Sequence, residues 1–142
     1  MADDQIMAPE PTVPKLSPAA HAVLDYAVAG AYLLVGAALL KRHRRAGTLA
    51  LLNGAMIVGA SVCTDYPGGI WPRFSFKTHR TLDVAQASLA GLGPYLLGFG
   101  EDPEASYFYD QAAAELGVIV ATDWEGTSRM ATPQARPADE GV

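Results

Sequence analysis

Long stretches without charge are the feature that most restricts how this chain can fold. The sequence has four apolar runs, at residues 26–40, 46–64, 84–100 and 107–121. The first three contain no charged side chain, whereas Asp110 and Glu115 interrupt the fourth. Runs of this length fit membrane-spanning helices, which need about 20 mainly apolar residues. A soluble four-helix bundle would require a polar stripe on each helix, and the second run offers only Thr48, Asn53 and Ser61 for one.

A polar pattern occurs twice in the chain, at a constant offset of 58 residues. The sequence His21-Ala22-Val23-Leu24-Asp25 returns as His79-Arg80-Thr81-Leu82-Asp83, and Thr64-Asp65-Tyr66 returns as Thr122-Asp123-Trp124. A constant offset at both ends of the unit indicates a helical hairpin that is used twice. We therefore expect an all-α fold, a four-helix transmembrane bundle made of two tandem helical hairpins, residues 17–66 and 75–124, related by a pseudo-two-fold axis along the membrane normal.

The ends of the chain and its composition limit the remaining possibilities. Residues 1–16 and 125–142 are rich in proline and acidic residues without apolar periodicity, which is typical of disordered tails. The membrane domain is expected to cover residues 17–124. A net charge of −5 argues against a nucleic-acid partner, which requires a basic face. The single cysteine, Cys63, excludes an internal disulfide and a cysteine-rich zinc site.

The repeated motifs predict a polar cluster at one face of the membrane, where helices one and three begin and helices two and four end. His21 and Asp25 are four residues apart, so they share one face of a helix, as do the equivalent residues of the second unit. The aspartates of the Thr-Asp motifs stand at helix ends, where the helix dipole disfavours them, and they need cationic or donor partners. The expected cluster is His21, Asp25, Asp65, His79, Arg80, Asp83 and Asp123.

Two interpretations of this cluster stay open. It can clamp helix ends together, because polar groups at such positions must find partners. It can also bind a small ligand or a divalent metal ion, since imidazole and carboxylate are both metal ligands, and His21 and His79 can be axial ligands of a haem. Glu115 is a separate membrane carboxylate, and such residues are costly and usually face the bundle interior. It is either a proton carrier or a sign that the fourth helix lies partly outside the lipid or against a partner, and the nearby Asp110 and Gln111 favour the second interpretation. The sequence contains no recognisable nucleophile–base pair or nucleotide-binding motif, which does not favour an enzyme.

Part of the chain resembles a known family. The carrying motifs are His-x-x-x-Asp-Tyr at residues 21–26, Thr-Asp-Tyr-Pro at 64–67, His-x-x-x-Asp at 79–83, and Gly93-Pro94-Tyr95 followed by Gly98-Phe99. This order of motifs, over Ser17 to Trp124, resembles the SPW-repeat membrane proteins of bacteria and archaea. In the first unit, Val35-Gly36-Ala37 stand where the Ser-Pro-Trp motif is expected. The resemblance implies a small integral membrane protein and transfers no catalytic residues.

The sequence therefore predicts a small multi-pass protein of the inner (plasma) membrane. The leading expectation is a non-enzymatic structural or accessory subunit of a membrane complex, whose partners are the lipid bilayer and other membrane-protein subunits. The alternative is a membrane protein that binds a small ligand, a metal ion or haem through the His/Asp cluster.

Overall fold

Within residues 15–126, which the computed structural model describes, the chain forms four α-helices and no β-strand. The helices are α1 (Pro18–Leu39), α2 (Arg44–Val62), α3 (Phe76–Leu96) and α4 (Ala105–Ala121). The expected all-α fold class with four helices is therefore confirmed. The predicted tails, residues 1–16 and 125–142, lie outside the described residues except for residues 15, 16, 125 and 126.

Helices α1 and α3 begin in the same way. The Ser17 hydroxyl accepts a hydrogen bond from the Ala20 N–H at 3.2 Å, and the Ser75 hydroxyl accepts one from the Thr78 N–H at 3.1 Å. Both serines are extended N-cap residues, and such caps satisfy backbone donors that have no partner inside the helix. Pro18 follows the first cap, where its missing N–H carries no cost. The caps define where the first turns lie, and these turns carry the two repeated histidines.

Two short backbone pairings connect the helix ends at the face of the bundle where α1 and α3 begin and α2 and α4 end. Leu16, just before α1, forms a parallel bridge with Thr122, just after α4. Phe74, just before α3, forms the equivalent bridge with Thr64, at the end of α2. The Leu16 N–H donates to the Ala121 carbonyl at 2.8 Å. Leu16 therefore belongs to the folded unit and not to the predicted tail, because its backbone is paired with the end of α4.

Helices α1 and α2 approach each other closely at small residues. A Cβ atom on Gly36 would lie 2.8 Å from the backbone nitrogen of Leu51, and one on Gly54 would lie 2.8 Å from the side chain of Leu33. Neither position has room for a larger residue. Close approach at glycine is a common way to gain van der Waals contact between helices in lipid, where hydrophobic attraction between helices is absent.

Two of the four described helices, α1 and α2, are long and apolar enough to cross a membrane. Helix α3 starts with charged residues, among them Lys77 and Arg80, and α4 is only 17 residues long and contains Asp110 and Glu115. Length and composition therefore indicate that the hairpin of α1 and α2 is a candidate membrane element. The core helix of a soluble protein can meet the same criterion.

Candidate functional site

The first turns of α1 and α3 bring four ionisable side chains together. His21 and Asp25 come from α1, and His79 and Asp83 come from α3; we call these four residues the His–Asp cluster. One ligand atom from each residue lies within 4.8 Å of the other three. The two histidines are at most 1% exposed, and Asp25 is 9% exposed. The cluster is therefore a compact group enclosed by the protein.

Each imidazole contacts both carboxylates through its Nε2 atom. The His21 Nε2 lies 3.1 Å from Asp83 Oδ2 and 3.3 Å from Asp25 Oδ1. The His79 Nε2 lies 3.1 Å from Asp25 Oδ2 and 3.2 Å from Asp83 Oδ1. Each carboxylate uses one oxygen for each histidine, so histidine and aspartate side chains alternate around the cluster.

A threonine determines which nitrogen of His79 carries a hydrogen. The His79 Nδ1 lies 2.7 Å from the Thr64 hydroxyl, and that hydroxyl donates to the Ala60 carbonyl at 2.7 Å. A hydroxyl has one hydrogen and a carbonyl can only accept, so the Thr64 hydrogen is already engaged. The His79 Nδ1 must therefore be the donor, and its Nε2 is the atom directed at the carboxylates.

The same arrangement holds for His21. Its Nδ1 lies 2.8 Å from the Thr122 hydroxyl, which donates to the Val118 carbonyl at 2.7 Å. Both histidines therefore carry hydrogen on Nδ1. A bare lone pair on Nε2 would repel the carboxylate oxygens, so a proton, carried by the imidazole or by a carboxyl group, or a shared cation lies between them.

Asp25 is held by two additional hydroxyl groups. The Tyr66 phenol donates to Asp25 Oδ2 at 2.8 Å, and the Ser61 hydroxyl donates to the same oxygen at 3.3 Å. Burial and the Asp25 carboxylate raise the pKa of Tyr66, so the phenol keeps its proton and acts as a donor. These two contacts hold the Asp25 carboxylate in one position.

Asp83 lacks these two contacts. The residues 58 positions after Ser61 and Tyr66 are Ile119 and Trp124, and the Trp124 indole donates to the Ile119 carbonyl at 2.8 Å. The Asp83 side chain is also slightly more exposed than that of Asp25, 17% against 11%. The two carboxylates of the cluster are therefore not equivalent, and Asp83 is the less constrained.

Three residues that the sequence predicted for the cluster do not join it. Within residues 15–126, the Asp65 carboxylate makes no hydrogen bond or ion pair, and that of Asp123 accepts only the Glu125 N–H, at 3.2 Å. Arg80 is exposed, because it follows the inward-facing His79 and therefore points away from the cluster. Asp65 and Asp123 therefore lie at the correct end of the bundle but outside its polar centre, and the partners expected for them are incorrect.

The threonines take the place that was predicted for those aspartates. Thr64 and Thr122 are buried, whereas Asp65 and Asp123, the next residues along the chain, are only partly buried. Neighbouring side chains outside a helix point in different directions, so only one residue of each Thr-Asp pair can reach a histidine. The repetition of both threonines at the 58-residue offset was the signal that could have identified them.

Glu115 lies on α4 and faces the interior of the bundle. Its Oε1 atom accepts a hydrogen bond from the Gln86 amide at 3.4 Å, and that amide also donates to Asn53 at 2.8 Å. The Glu115 carboxylate also lies beside the buried Tyr32 hydroxyl of α1, which is a hydrogen-bond donor to it. Glu115 is therefore an internal carboxylate with neutral donors from two other helices.

A cavity of about 190 Å³ lies between Glu115 and the His–Asp cluster. His21, Asp25 and Asp83 line it at the cluster, and Gln86 and Glu115 contribute its other polar groups. The cavity therefore connects the two groups of ionisable residues.

A haem does not fit the cluster. The His21 and His79 ring centroids are 5.4 Å apart with the ring planes at 79°, and both Nε2 atoms contact the same two carboxylates. Asp25 and Asp83 thus occupy the space around the nitrogen atoms that a porphyrin would need.

Comparisons of the chain with protein-family models, with curated proteins and with solved structures give no match. What the cluster can do therefore follows from its own geometry and chemistry.

Proposed function

We propose that this chain is a small integral membrane protein that binds one divalent transition-metal ion at the His–Asp cluster. The observation that carries the proposal is the convergence of two Nε2 atoms and two carboxylates, with each Nδ1 hydrogen already held by a threonine. Both imidazoles then present the atom that binds metal toward the same point.

The ligand atoms are close enough to surround one ion after small side-chain shifts. One ligand atom from each residue lies within 4.8 Å of the other three. Zinc bonds to histidine and carboxylate of about 2.0–2.2 Å place neighbouring ligand atoms about 3.4 Å apart in a tetrahedron. Two neutral imidazoles and two carboxylates carry two negative charges, which a divalent cation balances. Zinc and other first-row metals accept this mixture of nitrogen and oxygen ligands.

The threonines would orient the ligands of such an ion. A metal-binding histidine usually donates its other N–H to a protein oxygen, which fixes its tautomer and the orientation of its ring. Thr64 and Thr122 provide these oxygens, and the Ala60 and Val118 carbonyls hold the hydroxyl groups in place. Tyr66 extends the same support to Asp25.

Exposed apolar side chains on every helix support a bundle with four spans. Leu34, Leu52, Leu92 and Val120, one from each helix, are 75%, 48%, 61% and 83% exposed. Large apolar surface of this kind marks an interaction with lipid or with another protein. A multi-pass protein of the inner membrane, built from two tandem hairpins as in the SPW-repeat proteins it resembles, accounts for this surface.

A structural role for the cluster is the competing proposal. The four residues and their threonines join the starts of α1 and α3 to the ends of α2 and α4. Two imidazolium ions between two carboxylates would also be neutral overall. The protein would then be a non-enzymatic structural or accessory subunit of a membrane complex without a bound metal.

Metal analysis of the purified protein separates the two proposals. The full chain is extracted in detergent from cells grown with zinc, and its metal content is measured by mass spectrometry. We expect one metal ion per chain in the wild type and a loss of nearly all of it in the double variant H21Q/H79Q. Glutamine retains a hydrogen-bonding side chain but removes the imidazole.

His43→Gln is the matched control, because His43 stands just before α2, far from the cluster, and pairs with Glu104 at 3.0 Å. It should retain the metal content of the wild type. A folded wild-type protein that contains no metal and gives no visible absorption when titrated with cobalt(II) would refute metal binding and leave the structural role.

A further inference from the structure

A row of polar side chains continues from the cavity into the part of the bundle that lies farther from the His–Asp cluster. Tyr107, Gln111 and Glu115 stand four residues apart along α4, so they share one face of that helix. The Gln111 amide donates to the Tyr107 hydroxyl at 3.2 Å. The same face meets the buried Tyr32 of α1, because the Tyr32 hydroxyl lies beside Glu115 and the Tyr32 and Tyr107 ring centroids are 5.5 Å apart. The row therefore lies between helices.

The cavity extends this row to the other end of the molecule. Glu115 and three residues of the His–Asp cluster line the same cavity of about 190 Å³. This space is large enough for several water molecules, and the side chains around it provide the hydrogen-bond partners that internal water needs. Tyr107 lies in the first turn of α4, whereas the cluster contacts Thr122, which follows the last turn. Polar groups and space for water thus extend along the whole length of α4.

The first repeat has apolar side chains at two equivalent positions. Leu49 and Ile57 stand 58 positions before Tyr107 and Glu115, and both are buried. The helical hairpin therefore packs with leucine and isoleucine where the second repeat has a phenol and a carboxyl group. Polar and ionisable groups inside a membrane-spanning bundle are costly, and they commonly mark a pathway for ions or protons.

The donors around Glu115 are neutral. The Gln86 amide donates to its carboxylate at 3.4 Å, the Tyr32 hydroxyl lies beside it, and neither lysine nor arginine lines the cavity. The other ionisable side chains around the cavity are His21, Asp25 and Asp83. A carboxyl group among neutral donors gains and loses a proton without breaking an ion pair, which suits a proton carrier.

We propose that the row and the cavity form a pathway that carries protons across the membrane, with Glu115 as its proton-binding group. A proton from the cluster end passes through water in the cavity to the Glu115 carboxylate. Tyr32 and Tyr107 pass it toward the other end, since a hydroxyl accepts a proton on its oxygen and donates its own hydrogen. No electron moves, and a membrane potential drives the transfer. This inference rests on the proposed crossing of the membrane by all four helices and does not require the metal ion.

Proton flux into lipid vesicles that contain the purified full chain tests the inference. A pH-sensitive dye inside the vesicles reports the flux after a potassium diffusion potential is applied. We expect the wild type to give a flux above that of empty vesicles. Glu115→Gln should lose nearly all of it, because glutamine retains hydrogen bonding but does not bind and release a proton. Tyr32→Phe removes only the hydroxyl and should lose most of the flux as well.

Asp110→Asn is the matched control, since Asp110 is an exposed carboxylate on the same helix, and it should keep the wild-type flux. Glu115→Gln should keep the wild-type metal content, so metal binding and proton flux are separate results. If cysteine labelling shows four spans but the wild type carries no protons, or if Glu115→Gln or Tyr32→Phe carries them like the wild type, the inference is wrong and the metal site stands. Labelling that shows only two spans refutes the four-span bundle and the inference with it.

Discussion

His21 and His79, from different helices, direct their Nε2 atoms at the same two carboxylates, while each Nδ1 hydrogen is held by a threonine from a third element. The four N···O contacts lie between 3.1 and 3.3 Å. The fold therefore determines the tautomer of both rings. It also places both Nε2 atoms in the interior of the cluster.

Replacing a threonine that contacts the His–Asp cluster should weaken metal binding without removing a ligand. In Thr64→Val, the His79 Nδ1 loses its acceptor, and losses of such supporting contacts typically lower metal affinity about 10–100-fold. Thr64→Ser keeps the hydroxyl and should retain most of the affinity. Competition with a chromophoric chelator measures the three dissociation constants. Thr48→Val, at an exposed position of α2, is the control, and equal affinities in the Val and Ser variants of residue 64 would contradict the role of Thr64.

Removing the metal should lower the stability of the wild-type protein. An ion that binds only the folded state stabilises it by about 4 kcal/mol when its free concentration is about 1,000 times the dissociation constant. The free energy of unfolding in detergent, measured with buffered zinc and again with excess chelator, should differ by this amount. The variant H21Q/H79Q should show no difference, and a difference of the same size in that variant would place the bound metal elsewhere.

Two glycines of α2 should respond in opposite ways to substitution by alanine. A Cβ at Gly54 would lie 2.8 Å from Leu33 and 3.1 Å from the Ala29 carbonyl, so Gly54→Ala should cost about 1–3 kcal/mol through overpacking. Gly59 has no atom within 4 Å of such a Cβ, and Gly59→Ala should be neutral or stabilising by up to about 1 kcal/mol because alanine favours helix. Unfolding in mixed detergent micelles measures both. An equal effect at the two positions would show that α1 and α2 do not pack closely at Gly54.

Labelling of single cysteines tests whether all four helices cross the membrane. In a Cys63→Ser background, cysteines at Arg42, Trp71 and Asp102 report on the three connections between the helices. With four spans, a maleimide that cannot cross membranes should label residues 42 and 102 from the same side and residue 71 from the other side. If only α1 and α2 cross, residues 71 and 102 will be labelled from the same side.

Much of the local structure could be predicted from the sequence because it depends on neighbouring residues. The serines before α1 and α3 are caps, and Ser17 followed by Pro18 indicated the start of α1. The spacing of four residues between His21 and Asp25 placed them on one face of a helix. These features depend on the 3.6-residue period and on backbone groups that must be satisfied at helix ends.

The partners of the side chains were decided by the tertiary structure. The sequence interpretation expected Asp65 and Asp123 to find cationic or donor partners at neighbouring helix starts, but Thr64 and Thr122 make the contacts with the histidines. Which residue of a Thr-Asp pair points inward depends on how the chain leaves the helix and pairs with the neighbouring segment. The residues that follow the helix are too few to show a periodic pattern, so the sequence does not indicate which of them points inward.

The sequence alone determined the helical class, the duplicated pattern and the choice of imidazole and carboxylate as the polar groups at one end of the molecule. Only the tertiary structure decided that both histidines share both carboxylates, and that Gln86 and Glu115 face a cavity next to them. Helix formation depends on residues within one or two turns. The site and the cavity depend instead on how the four helices pack around a common centre, and that arrangement involves side chains far apart in the sequence.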